Sequence, residues 1–189
     1  AATSPKTANG PLAARPACPP EPVPRHVALV IDASDSMQDD GKLVHAKRAA
    51  NTFVDTVNMG TTQVAVVAFS DDPDVRSPLT GSRNQAKAAI NSIRLSFGTN
   101  IGTGIEAARD AVAAGRSRVG LTPFEALIVL SDGISNPAFG EAATAAAAAA
   151  REEGMVVFSV CLGEDCDVDV MASLASPGLY FASDVPELT

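Results

Sequence analysis

Two hydrophobic patterns alternate along this chain from residue 27 onward. Uninterrupted apolar runs stand at Val27–Ile31, Val64–Phe69, Leu127–Leu130 and Val156–Val160. Runs without polar alternation fit strands covered on both faces, as in a parallel sheet. Between them apolar residues recur at helical spacing. The spacing predicts helices over about 42–58 (Leu43, Ala46, Ala50, Phe53, Val54, Val57), 84–94 (Ala86, Ala89, Ile90, Ile93) and 102–114 (Ile105, Ala108, Val112). A fourth covers about 139–153 and contains the run Ala145–Ala150; alanine is the best helix former, so this run reads as a closely packed helix ending at Gly154. The segment 74–80 reads as an edge strand interrupted by Pro78, and Leu179–Ala182 as a last strand. Strands alternating with helices predict a doubly wound α/β domain.

Residues 1 to about 25 break this pattern. They carry seven prolines and no hydrophobic periodicity, which predicts a linker or extended arm ahead of a domain over 26–189. At the other end, Pro186 and Glu187 read as the first turn of a further helix. The chain starts at Ala1 rather than methionine and so reads as a processed or excised form, with attached domains expected in the full-length protein.

Composition narrows the partners. A net charge of −8 without a basic cluster argues against nucleic acid and anionic membranes. No apolar stretch approaches the roughly 18 residues that a bilayer span needs. Of the three cysteines, Cys161 and Cys166 flank a Leu-Gly-Glu-Asp turn. Two readings stay open: a disulfide, which would imply an oxidising compartment, or a buried Cys161 beside a free Cys166 thiol.

The chemistry-bearing residues gather at the ends of the apolar runs. Asp32, Ser34 and Ser36 follow the first run at alternate positions, Thr99 lies in the turn Phe97–Asn100, and Asp132 follows the run that ends in Ser131. Carboxylates and hydroxyls are hard oxygen ligands suited to Mg²⁺, Mn²⁺ or Ca²⁺. Strand ends are also where open α/β sheets place their sites. Asp71 and Asp72 should share this rim as turn residues before Pro73. Asp165, Asp167 and Asp169 imitate the start of a calcium loop, but Val170 occupies the position that needs glycine, and Asp167 reads better as a helix N-cap. His26 and His45 lack a metal-binding partner at suitable spacing and read as structural. No nucleophile elbow and no phosphate-binding glycine loop is present.

The segments Val30–Met37, Gly98–Ile105 and Val129–Gly133 resemble, in order, the three metal-loop signatures of von Willebrand factor type A domains. The likeness covers about residues 26–185. It implies a six-stranded, mostly parallel sheet with helices on both faces and a metal-ion-dependent adhesion site at the strand ends. By that resemblance Ser34, Ser36 and Thr99 would ligate the cation directly, with Asp32 and Asp132 acting through water or by bonding the direct ligands. Neutral hydroxyl ligands leave the cation most of its charge and one open position, which an Asp or Glu of a partner protein can fill. Asp35 departs from the pattern, since the family commonly has glycine there; it reads as a solvated loop residue. The expectation is a non-enzymatic, cation-dependent adhesion module of an extracellular or surface-attached protein. The rivals are an intracellular type A subunit of a metal-chelatase-like or other ATP-driven assembly, and a metal-assisted phosphatase, which would need carboxylates as direct ligands.

Overall fold

The computed structural model describes residues 23–116, 122–134 and 137–183. Most of the proline-rich arm, Cys18 within it, and the helical turn expected at Pro186 lie outside the described residues.

The elements follow the hydrophobic pattern closely. β1 (Arg25–Asp32), β2 (Thr62–Phe69), β4 (Phe124–Ser131) and β5 (Val156–Leu162) grow from the four apolar runs, with β3 (Pro73–Thr80) and β6 (Tyr180–Ser183) at the edges. The six strands lie in the order β3-β2-β1-β4-β5-β6, parallel throughout except for antiparallel β3. Pro78 does not interrupt β3; the pairing with β2 shifts register in its neighbourhood instead. An edge strand tolerates proline because the missing N–H faces outward.

The helices are α1 (Lys42–Thr56), α2 (Arg83–Ser92), α3 (Ile101–Ala113), α4 (Pro137–Glu152) and a short α5 (Val168–Leu174), and a 3₁₀ segment spans Asp35–Gly41. Ser82 caps α2, Asn100 caps α3 and Asp167 caps α5, each side chain accepting a bond from a backbone N–H in the first turn. Asp167 thus has the capping role expected from the sequence, whereas α5 itself has too few turns to show periodicity.

Two apolar layers hold the sheet. On one face Leu43, Ala46, Ala50 and Val54 of α1 with Ala86 and Ile90 of α2 pack on Leu29, Ile31, Val64 and Val66. On the other, Ile101, Ile105, Ala108 and Val112 of α3, Ala143, Ala146, Ala147 and Ala150 of α4 and Met171 of α5 pack on Val30, Val67, Leu127, Val129 and Val157. Small residues let the second layer sit close. A Cβ on Gly102 would lie 3.1 Å from the Ala142 carbonyl carbon of α4, and one on Gly104 only 2.7 Å from the Phe69 ring. Alternation of helices between faces leaves the carboxyl ends of β1, β2 and β4 side by side, uncovered by a crossover.

Candidate metal-binding rim

Register determines which side chains meet at that edge. Ile31 of β1 lies opposite Leu130 of β4, so Asp32 leaves the sheet beside Ser131. Asp32 is fully buried. Its Oδ1 accepts from the Ser34 N–H at 2.8 Å and its Oδ2 from the Ser131 hydroxyl at 2.5 Å. Ser131 in turn accepts from the Gly133 N–H at 2.9 Å. The two hydroxyls of the first loop converge, with Ser34 Oγ and Ser36 Oγ 3.1 Å apart. Asp35 between them points to solvent, as its reading from the sequence requires.

Burial pushes the Asp32 carboxyl up to about 6; the bonds from Ser131 and Ser34 oppose this, and the neighbouring Asp132 adds to it. A carboxylate whose ionisation is held back by burial, with no basic side chain bonded to it, is suited to a cation held nearby.

Asp132 is equally buried but already has a counter-charge. Its Oδ2 accepts from Lys42 Nζ at 3.0 Å and its Oδ1 from the Ile134 N–H at 3.2 Å. Lys42, in the first turn of α1, has no solvent exposure and bonds also to Asp165, 2.7 Å from Oδ1 and 2.8 Å from Oδ2. Burial works against its charge, but the bonds to Asp165 and Asp132 outweigh this and hold the amine above the usual lysine range. The same bond holds the Asp165 carboxyl below its usual range.

Thr99 belongs to a separate loop that main-chain bonds bring to the same rim. The Ser96 N–H donates to the Ala33 carbonyl and the Asn100 N–H to the Ser70 carbonyl, both at 2.7 Å, and the Asp71 N–H to the Phe97 carbonyl at 3.2 Å. Thr99 is half-buried between these anchors. Gly98 before it has φ +77°, and a Cβ there would fall 1.7 Å from Asp71 Oδ1. Asp71 therefore stands on the rim, packed over Gly98.

All five sequence-derived candidates thus lie at one edge, supplied by the β1, α2–α3 and β4 loops. Lys42 and Ser131 are further members that the sequence reading missed. Among the described residues no three His, Cys, Asp or Glu side chains gather to hold a metal by themselves. The oxygens gathered on this rim are the hydroxyls of Ser34, Ser36 and Thr99 with the carboxylates of Asp32 and Asp132, a donor set that would fit a hard divalent ion. His26 is buried at the opposite end, at the start of β1, 4.0 Å from Glu125. An apolar groove lined by Phe53, Phe124, Ile128, Phe158 and Phe181 opens on the α1 side of the sheet, but no converging polar groups give it chemistry.

Cys161 at the end of β5 is disulfide-bonded to Cys166, with their Cα atoms 5.9 Å apart. Of the two cysteine readings, the structure contains the bonded one. The loop so closed carries Asp165.

Residues 26–189 match the family model described as von Willebrand factor type A domain. A UPF0353 protein of Mycolicibacterium vanbaalenii is 32% identical over 155 residues, 75% of this chain and 46% of that protein. The chain therefore spans about half the length of this relative. Among solved structures, the vWF domain of the type V pili tip protein Mfa5 from Porphyromonas gingivalis superposes with a TM-score of 0.77 at 15% identity, covering 88% of this chain and 91% of that one. Proximal thread matrix protein 1 from the mussel byssus, solved with a zinc-occupied MIDAS motif, superposes with a TM-score of 0.73 at 22% identity over 88% of this chain and 45% of that one.

Proposed function

This chain belongs to the von Willebrand factor type A family, and from that premise we propose that it is a binding module whose divalent cation takes a carboxylate from a partner protein. The observation that carries the reading is the convergence of Ser34 and Ser36 hydroxyls beside the buried Asp32, with Thr99 fixed on the same rim by main-chain bonds. Ser34, Ser36 and Thr99 would hold the ion directly. Asp32 and Asp132 orient the loops and balance its charge, as carboxylates behind direct ligands do. When bound by these neutral oxygens, a divalent ion would supply a Lewis-acid position for the carboxylate of a partner's Asp or Glu. Mg²⁺ suits a small site of this kind, with Mn²⁺ or Ca²⁺ able to substitute.

The domain binds rather than catalyses. A hydrolytic reading would need carboxylates as direct ligands, whereas Asp132 is engaged by Lys42 and Asp32 by Ser34 and Ser131. The Cys161–Cys166 disulfide favours an extracellular or surface-attached setting over an intracellular ATP-driven assembly. Among the described residues no helix is long and apolar enough to cross a membrane.

Titration with Mn²⁺, followed by the loss of the free-ion electron paramagnetic resonance signal, tests the site. One saturable site is expected, weakened in Ser34→Ala and Asp32→Ala. With protein in excess, acetate methyl-proton relaxation should be enhanced above the level that free Mn²⁺ gives, and Ser34→Ala should lose that enhancement. Identical titrations in wild type and Ser34→Ala would refute the reading.

A further inference from the structure

The Cys161–Cys166 loop stands apart in sequence from all three metal loops, yet it touches their innermost charge. Gly163, with φ +88°, lies against the Lys42 stem so closely that a Cβ there would sit 2.7 Å from Lys42 Cε and 2.8 Å from Asp165 Oδ1. Asp165 closes over the end of the same side chain and shares its amine with Asp132. Just beyond the loop, the Asp167 N–H donates to the Asp132 carbonyl at 2.8 Å. The loop therefore wraps a fully buried lysine on one side while Asp132 holds it on the other.

We infer that the Cys161–Cys166 loop is a working part of the cation site, and that opening its disulfide weakens divalent-cation binding by releasing Asp165 from Lys42. The inference rests on the cation-binding reading above. Its physical basis is charge sharing. With the loop closed, one ammonium is divided between two carboxylates, and Asp132 is only partly neutralised. Asp165 is half exposed and is the last of the four residues between the two cysteines, so water competes for it once the covalent closure is lost. Lys42 then pairs with Asp132 alone, and its whole charge opposes a cation at the rim. Lys42 and Asp165 are positioning residues in this account, because neither is a ligand. The covalent step is ordinary thiol–disulfide exchange. A dithiol reductant gives two electrons and two protons, the Cys161–Cys166 bond becomes two thiols, and the reductant closes to its own disulfide.

The test compares Mn²⁺ affinity in oxidised wild type, wild type reduced with a dithiol and alkylated, Asp165→Asn, and Cys161→Ser/Cys166→Ser. Circular dichroism checks that each remains folded. A roughly tenfold weaker dissociation constant is expected in all three altered forms, and reduction of Asp165→Asn should add nothing further. Metal-free protein supplies a second readout: acetylation of Lys42 by a small reagent, followed by peptide mass spectrometry, should accelerate on reduction. If oxidised wild type binds Mn²⁺ but reduction and Asp165→Asn leave the affinity unchanged, this inference is overturned and the cation reading stands. If oxidised wild type binds no Mn²⁺, the cation reading falls and takes this one with it.

Discussion

Lys42 and Asp132 form an ion pair 3.0 Å long in which neither side chain has any solvent exposure, although 90 residues separate them in sequence. Their contact ties the start of α1 to the end of β4 across the metal rim. Removing the lysine leaves a buried carboxylate without its counter-charge, which is far costlier than losing a surface pair. Lys42→Met should lower unfolding free energy by about 3 kcal/mol or more, read from urea denaturation at neutral pH. Asp165→Asn, which alters only the half-exposed arm of the network, should cost about 1 kcal/mol or less in the same assay.

Asp32 gives the metal-free protein a characteristic pH dependence. Its folded carboxyl titrates at about 6, above its ordinary value of 3.8, so the folded state keeps the proton to higher pH than the unfolded chain. The stability associated with the protonated form is present below pH 3.8 and is lost as pH rises to about 6, beyond which the loss is constant. The gap between those two values corresponds to about 3 kcal/mol. In chelator, Asp32→Asn should therefore gain stability relative to wild type between pH 4 and 6 and hold that difference above it. A difference that stays flat across this window would contradict the assignment.

Under the cation-binding proposal, the same carboxyl would set the acid limit of metal affinity. Below about pH 6 a proton occupies the group that a cation needs ionised, so Mn²⁺ affinity should fall steadily there and level off above it. Isothermal titration in two buffers of different ionisation heat would show proton release on binding near pH 6 and none near pH 8.

Thr99→Ala removes a hydroxyl without touching the bonds that seat its loop, since those run through the backbones of Ser96 and Asn100. Cation affinity should drop at least tenfold while thermal stability in chelator stays within about 1 kcal/mol of wild type.

Gly98→Ala acts on the seat itself. The left-handed backbone disfavours any side chain, and the new methyl would overlap the Asp71 carboxylate. Destabilisation of about 2 kcal/mol or more is expected in urea denaturation. Adding Asp71→Gly should recover the part due to the clash and leave the part due to backbone strain.

The fold was largely legible in the sequence because its signals are local. Each central strand is one apolar run, and α1 to α4 declare themselves by residues that recur every turn. The five candidate ligands were legible for a related reason: each stands directly beyond a run or in a glycine turn, where the chain has to leave the sheet. Lys42 was not. Nothing near Gly41 or Leu43 shows that a lysine on an otherwise ordinary helix will be buried against partners 90 and 123 residues away. Ser131 was hidden by its position, the last residue of an apolar strand, where a hydroxyl looks like a neutral filler. Pro78 misled only as a break: β3 is the edge strand its sequence suggested, and a shift of register against β2 accommodates the ring.

The bond from Ser131 to Asp32 spans 99 residues and forms only when Ile31 lies opposite Leu130. Sliding β1 by one residue against β4 would turn Asp32 to the other face of the sheet. The cluster is therefore absent from either half of the chain alone and appears once the central pair of strands has closed in register. Under the cation-binding proposal, the ion would find its full set of oxygens only where this pairing has formed. If the pairing closes after the folding barrier, a bound ion would slow unfolding at an unchanged rate of refolding and so would act as a latch on the finished sheet.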